Sequence, residues 1–174
     1  MRKALYFLGI LNDSDIDWLV AAGSRREVQS GAHLIDEGHP IDSVFLVIDG
    51  AFSVHSAALG GKQLALLLSG EVMGEMSFVD SALPSATVRA VEHSFVLAIP
   101  RRRLNAKLAE DNGFAARFYR ALAMFLADRV RSTVTALAPG APPDHDGELH
   151  IDAMDNIGMA GARFDWIQRR LQSA

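Results

Sequence analysis

The sequence predicts a mainly β domain flanked by helices, and three observations support this fold class. Between residues 26 and 99, short apolar runs such as SVFLVIDG (43–50) are separated by turn residues at intervals of roughly 8–12 residues. Asp49-Gly50 and Gly60-Gly61 are tight-hairpin signals between such runs. On both sides of this region, apolar residues recur at helical spacing instead. The pattern is typical of an antiparallel sandwich, barrel or jelly roll.

Composition limits the classes of function. A chain of 174 residues with 49% apolar content suits one compact domain plus an appendage, and a net charge of −4 argues against a dedicated nucleic-acid binder. The absence of cysteine excludes disulfides, thiolate zinc sites and cysteine-held iron–sulfur clusters. No stretch approaches the roughly 18 apolar residues of a membrane span, and MRKALYFLGIL (1–11) is expected to pack on the domain. We therefore expect a cytoplasmic protein with no membrane partner.

Three helices are predicted around the β-rich region. NDSDIDWLVAAG (12–23) has helix-start residues, apolar residues at helical spacing and a terminal glycine. After Pro100, a short helix is expected over RRRLNAKLAED (101–111), followed by a long helix over about 112–138. The three consecutive arginines predict a solvated face, with contact to a partner or a nucleic acid as the alternative.

The long helix is apolar on two faces, although a helix that rests only on its own domain needs one apolar stripe. Phe118, Leu122 and Phe125 form one face. The second face repeats at spacings of 3 and 4, the period of a coiled coil, and comprises Ala123, Leu126, Val130, Thr133 and Leu137. This stripe predicts a homodimer through residues 123–137. Burial by the C-terminal segment of the same chain is the alternative.

The C-terminal region is predicted to be a linker followed by a helical tail. Residues 139–148 are rich in proline and glycine, and the tail spans 149–174. Its apolar residues recur at helical spacing, whereas Gly158 and Gly161 each weaken the helix by about 1 kcal/mol. We expect this helix to need a surface to dock on, either in its own chain or on a protein partner.

No residues form a recognisable catalytic or metal-binding set. His33, Glu37 and His39 do not have the spacing of a metal-binding cupin and are interpreted as surface or turn residues. No Ser–His–Asp, Cys–His or paired-carboxylate arrangement stands out. We therefore predict that the protein is not an enzyme and that it holds no metal.

The order of these elements, with a glycine-glutamate motif between strands, resembles the cyclic nucleotide-binding domain family. The matching stretches are LIDEGHPIDSVFLVIDGAFSV (34–54), GEVMGEMSFVD (70–80), SATVRAV (85–91) and FVLAIPRRRL (95–104). The resemblance covers about residues 4–138. It implies an antiparallel β-roll, the jelly-roll or cupin-like double-stranded β-helix, with an N-terminal helix and a long C-terminal helix within a domain of residues 1–138.

The resemblance also implies a ligand site. Backbone N–H groups at Gly74, Glu75 and Met76 would face a cyclic phosphate at a helix start. Glu75 would accept a hydrogen bond from the ribose 2′-hydroxyl. Ser85 and the following Ala86 would lie near a phosphate oxygen, and Thr133 would contact the base. The ligand implied is a cyclic nucleotide, cAMP or cGMP, and no other cofactor is indicated.

The sequence departs from the family at Pro84. Family members that bind cyclic nucleotides carry an arginine just before the Ser-Ala-Thr segment, and only its planar guanidinium offers bidentate contact to phosphate. Arg89 is predicted to point away from the site by strand parity, whereas Arg129 and Arg131 are candidates to compensate.

We therefore predict a regulatory module of the cyclic nucleotide-binding type with weak or absent nucleotide binding, whose signal passes through the long helix and the tail to a partner. The first alternative is a ligand-free interaction or dimerisation scaffold with a degenerate pocket. The second is a transcription regulator of the cyclic-AMP receptor type that lacks its own helix-turn-helix. Direct DNA binding is not expected, because the residues after the long helix provide a single predicted helix.

Overall fold

A computed structural model describes residues 7–137 and 154–172. Besides a helical segment at residues 7–10 and a short 3-10 helix (Ala57–Leu59), the helices are α1 (Asp13–Ala22), α2 (Glu75–Asp80), α3 (Arg101–Glu110), α4 (Asn112–Leu137) and α5 (Met154–Gln172). The strands are β1 (Ser24–Val28), β2 (His33–Ile35), β3 (Ser43–Asp49), β4 (Ala51–Ser56), β5 (Lys62–Leu68), β6 (Val72–Met73), β7 (Thr87–Ala90) and β8 (Ser94–Pro100). The predicted linker, 139–148, lies outside the described residues. Within the described ranges, no helix is long and apolar enough to cross a membrane.

The eight strands form two antiparallel sheets of four strands. One sheet has the order β1-β8-β3-β6 and the other the order β2-β7-β4-β5. The predicted hairpin at Asp49-Gly50 is confirmed, because β3 ends at Asp49 and β4 begins at Ala51. β4 then pairs with β5 from Ala51–Leu68 to Ser56–Lys62. The predicted antiparallel β-roll with flanking helices is therefore confirmed, although α4 and α5 alone contribute 26 and 19 residues.

The two sheets face each other across an apolar core. Phe45 and Val47 of β3 and Val96 of β8 point inward from the first sheet, and Phe52 of β4 and Val88 of β7 point inward from the second. Successive side chains of a strand point to opposite faces of the sheet, so only every second residue of each strand can point into this core. Burying them stabilises the roll by about 25 cal/mol per Å² of apolar surface.

A second core lies between the outer face of the first sheet and the helices. Val44, Leu46 and Ile48 of β3 belong to it, so β3 is buried on both faces. This explains why its sequence is continuously apolar rather than alternating. On the helical side, Phe114 and Phe118 of α4 stack with ring centroids 5.6 Å apart.

α1 begins at a capping box and is fixed to α4 by an ion pair. The Asn12 side chain accepts a hydrogen bond from the Asp15 N–H, and the Asp15 carboxylate accepts one from the Asn12 N–H. Arg117 donates to both carboxylate oxygens of Asp15, at 2.6 and 2.8 Å. Burial raises the pKa of Asp15, but the hydrogen bonds from Arg117 and Asn12 outweigh it, so the net pKa lies below the ordinary value.

The arginine run at the start of α3 does not form a wholly solvated face, which corrects one sequence-based interpretation. Arg101 donates to the carbonyls of Ser77 in α2 and Ile41, at 2.6 and 3.2 Å. Arg103 donates to the carbonyl of Ala22 at 2.9 Å, at the end of α1, where helix carbonyls have no intrahelical partner. The run thus contains two arginines that join α3 to its neighbours, a role that spacing alone could not reveal.

The tail helix α5 docks on its own chain. Ala160, Ile167 and Leu171 are buried in the helical core. Arg163 donates to Asp13 of α1 at 2.8 Å and to the carbonyl of Leu8 at 2.9 Å. The sequence had left open whether this helix docks in its own chain or on a partner. Within the described residues, its apolar face packs in cis.

The second apolar face of α4 remains largely exposed in the single chain. Val130 of this face is 62% exposed, and Val134, one helical turn further along α4, is 64% exposed, whereas Phe118 and Leu122 on the first face are buried. The tail helix does not bury these two valines. The predicted homodimer through residues 123–137 stays a prediction.

Candidate functional site

The glycine-glutamate motif forms a sharp corner between β6 and α2. Gly74 has φ of +79°, in the left-handed region that disfavours residues with a side chain. A Cβ at this position would lie 2.7 Å from Ile41 Cδ1 and 3.2 Å from the Ser43 carbonyl oxygen. The corner therefore requires glycine for both its backbone conformation and its close packing. The turn directs the start of α2 toward the mouth of the roll.

This corner, the segment before β7 and one residue of α4 enclose a pocket of about 90 Å³. Much of its wall is apolar and comes from strands of both sheets, namely Ile35, Val54, Leu67, Met73 and Val88. Polar groups are provided by Glu75, Ser77, Ser85 and Arg129. The volume is below the roughly 300 Å³ at which pockets for drug-sized ligands begin.

An ion pair between α2 and α4 dominates the electrostatics of the pocket. Arg129 Nη1 donates to Glu75 Oε1 at 2.5 Å, and Arg129 Nη2 lies 3.4 Å from the Val72 carbonyl oxygen. The Glu75 side chain is 2% exposed and that of Arg129 is 32% exposed. The Arg129 guanidinium carbon also lies 4.8 Å from the ring centre of Phe125, within the range of a cation–π contact. Through Arg129, the long helix α4 is therefore bound directly to Glu75 at the start of α2.

Burial sets the protonation behaviour of Glu75. Removal from water raises the pKa of this carboxyl above its ordinary value, although the charge of Arg129 and a hydrogen bond from the backbone N–H of Glu75 oppose the rise. A charged carboxylate in this position is costly unless it keeps its partner. Glu75 and Arg129 are consequently coupled, and a change at one alters the charge state or position of the other.

The opposite wall of the pocket has no positive charge at position 84. Pro84 is buried, and its carbonyl oxygen accepts a hydrogen bond from Gly38 N–H at 2.9 Å. Ser85 is exposed at the mouth of the pocket. At the start of β7, Thr87 Oγ1 accepts a hydrogen bond from Glu37 N–H at 3.1 Å. This wall is thus fixed by backbone contacts and carries hydroxyls but no cation.

The structure brings six of the seven predicted ligand residues to one pocket: Gly74, Glu75, Met76, Pro84, Ser85 and Ala86. Thr133 is on α4, but its side chain is outside what the structure describes. Arg89 lies away from the pocket, as strand parity predicts, and donates to the Gly31 carbonyl at 3.0 Å.

The sequence had named Arg129 as a candidate cation, and the structure places it in the pocket. The apolar wall residues were not predicted. The alternation of apolar and polar residues along a strand indicates which side chains point into the roll. It does not show which of these side chains come together at the pocket.

The histidines near β2 have local contacts. His33 Nδ1 lies 2.7 Å from Asp36 Oδ1, and His39 Nδ1 lies 3.1 Å from the Glu37 carbonyl oxygen. Among the residues that the structure describes, no group of three or more histidine, aspartate or glutamate side chains could hold a metal ion.

Comparison with known families agrees with this geometry. The model of the cyclic nucleotide-binding domain matches residues 25–111, half of the chain, including both walls of the pocket except Arg129. The chain therefore belongs to the cyclic nucleotide-binding domain family.

Two relatives illustrate the breadth of the similarity. The chain is 33% identical to the cyclic AMP receptor protein of Thermus thermophilus over 103 residues, which cover 58% of the chain and 47% of that protein. It is 30% identical to an uncharacterised NTE family protein of Mycobacterium tuberculosis over 141 residues, which cover 79% of the chain and 24% of that protein. The chain thus spans about half or less of these relatives.

The crystal structure of a cyclic nucleotide-binding domain from Methylobacillus flagellatus superposes with a TM-score of 0.72. The superposition covers 82% of this chain and 85% of that chain at 20% identity. At this identity the match shows the fold alone.

Proposed function

We propose that the protein is a regulatory module in which the pocket at Glu75 senses a small ligand, and that cyclic nucleotides bind it weakly or not at all. The observation that carries this proposal is the pairing inside the pocket: Glu75 is held by Arg129, while the position of the phosphate-binding arginine is the buried Pro84. The only cation lining the pocket among the described residues is thus occupied by a carboxylate of the protein.

The missing arginine has a large expected energetic effect. Removing the hydrogen-bonded charge partner of a desolvated anion costs about 2–5 kcal/mol. Because each 1.4 kcal/mol changes affinity tenfold, this corresponds to roughly a 30-fold to several-thousand-fold loss. The backbone donors at the start of α2 and the hydroxyl of Ser85 remain. A site with micromolar affinity would therefore move toward millimolar affinity.

Arg129 also provides a route for output. Because it joins α2 to α4, a ligand that displaces either partner of the ion pair changes how firmly the long helix is held against the roll. The pocket must also widen from its present volume of about 90 Å³ to admit a nucleotide. We propose that ligand occupancy moves α4, and that α4 and the tail pass this change to a partner.

Calorimetric titration of the full chain with cAMP and cGMP tests this proposal. We expect at most a weak signal at millimolar nucleotide. Binding of either nucleotide at micromolar concentration would contradict the proposed loss of the phosphate contact.

A second candidate function is a ligand-free interaction scaffold. The same ion pair favours it, because Arg129 fills part of the pocket with a side chain of the protein itself. A complete screen of anionic and neutral small ligands that produces no change in melting temperature, together with a stable homodimer, would favour the scaffold over the sensor. The transcription regulator that lacks its own helix-turn-helix remains a third proposal. Binding of this chain alone to DNA that depends on salt and sequence would contradict the expected absence of direct DNA binding.

A further inference from the structure

A groove far larger than the Glu75 pocket lies between the tail helix and the N-terminal helix. Its volume is about 430 Å³, within the 300–1,000 Å³ range of small-molecule sites. Three of its seven lining residues are on α1 and four are on α5. Because both helices contribute walls, the groove exists only while α5 is docked. Any ligand that binds there must therefore stabilise the docked tail.

The floor of this groove is apolar. Ile16 of α1 is buried beneath it, and Trp166 of α5 is half-buried at its side. Met159 is 49% exposed at the same groove. Exposed apolar surface that includes an aromatic ring is the kind of surface that binds the apolar body of a ligand, or a cation over the face of the ring.

The rim of the groove has a net negative charge. Asp13 and Asp17 contribute two carboxylates, and Arg163 contributes one guanidinium. Arg163 is already bound to Asp13 at 2.8 Å and to the Leu8 carbonyl oxygen at 2.9 Å, and its side chain is 15% exposed. Asp17 is exposed and makes no ion pair with any residue in the described parts of the chain. An anion would be repelled here, whereas a cation would find the Asp17 carboxylate in a groove that Trp166 also lines.

We propose that the groove between α1 and α5 binds a small organic cation with an apolar body, and that this ligand holds the tail helix against the domain. The ammonium or related group lies at Asp17 and the apolar body lies against Ile16 and Trp166. This site is separate from the Glu75 pocket and does not depend on nucleotide binding. A ligand in this groove would thus control docking of the tail helix independently of the Glu75 pocket.

Calorimetry and hydrogen exchange of the full chain test the proposal with 2-phenylethylamine, and with the uncharged 2-phenylethanol as the comparison. We expect the amine to bind more tightly than the alcohol. At ten times its Kd, the amine should slow amide exchange across residues 158–171 about tenfold, because it binds only the docked state.

Asp17→Asn is expected to weaken amine binding by up to about fivefold, the range of a single exposed ion pair, and to leave alcohol binding unchanged. Asp165→Asn removes an exposed carboxylate of α5 that does not line the groove, and should have no effect. Equal affinity for the amine and the alcohol, equal effects of the two substitutions, or no protection of residues 158–171 would each overturn the proposal.

Discussion

At the scale of single residues, the site depends on one coupled pair, Glu75 and Arg129. The resemblance to the family implies a ligand contact for Glu75, and the sequence named Arg129 as a possible source of positive charge. It could not show that the two bind each other, because they are 54 residues apart and meet only when α4 packs on the roll. Local sequence patterns do not show which residues so far apart in the sequence come into contact.

The raised pKa of Glu75 predicts how stability depends on pH. Between the ordinary carboxyl pKa and the raised value, the unfolded chain has lost its proton while the folded chain retains it. The stability that Glu75 contributes is thus fully present below the unfolded pKa and is lost as pH rises through the folded pKa. We expect the difference in unfolding free energy between the wild type and Glu75→Gln to fall over this window.

Chemical denaturation between about pH 4 and pH 8 measures this difference, with the exposed Glu92→Gln as the control for the substitution itself. A difference that increases with pH would show that the attraction of Arg129 exceeds the cost of burial. Such an increase would contradict the raised pKa of Glu75.

At the scale of elements, boundaries were predicted best where a local signal exists. α1 ends before Gly23, and the hairpin turns lie at the predicted glycines. The two-residue strand β6 was missed, because it is defined only by pairing with Phe45 and Leu46 of β3. The roles of Arg101 and Arg103 were missed for a similar reason, since the carbonyls that they bind belong to distant elements.

Two glycines on different elements give opposite predictions for the same substitution. At Gly161 in α5, an added Cβ would have no neighbouring atom within 4 Å, and the backbone is not left-handed, so Gly161→Ala should stabilise the helix by about 1 kcal/mol. Amide exchange of α5 should then slow about fivefold. Gly74→Ala must adopt a left-handed backbone and meets Ile41 Cδ1 at 2.7 Å, so it should destabilise the fold by about 1–3 kcal/mol.

Hydrogen exchange of α5 and denaturant unfolding of the whole chain provide the two readouts. Faster exchange in Gly161→Ala would mean that the glycine is required for docking. An unchanged unfolding free energy in Gly74→Ala would mean that the corner at α2 is not constrained as described.

At the scale of the whole molecule, the sequence predicted the roll and its flanking helices, but not how the tail completes the fold. The apolar spacing of the tail was evident, whereas its docking surface is assembled from α1 and the end of β3. For example, Gln168 donates to the Ile48 carbonyl at 2.8 Å. Such a surface exists only after folding.

The exposed face of α4 predicts self-association. Val130 and Val134 are 62% and 64% exposed and lie in the region 123–137 that the heptad spacing assigns to a partner helix. Val130→Asp should convert a dimer to a monomer in sedimentation equilibrium, because a carboxylate buried at the helix pair lacks a partner. Val91→Asp introduces the same change at a valine that is 51% exposed on another surface, and should leave the dimer intact. A wild-type monomer, or equal effects of the two substitutions, would contradict dimerisation through α4.

The proposed loss of phosphate binding at position 84 is tested most directly by introducing an arginine there. Pro84→Arg adds a guanidinium at the pocket wall and retains the backbone carbonyl that accepts from Gly38. Calorimetric titration with cAMP should show weak or absent binding by the wild type and by Pro84→Ala, and binding by Pro84→Arg that is at least about 30-fold tighter. Micromolar binding by the wild type, or no gain in Pro84→Arg over Pro84→Ala, would contradict the claim that proline at position 84 weakens nucleotide binding.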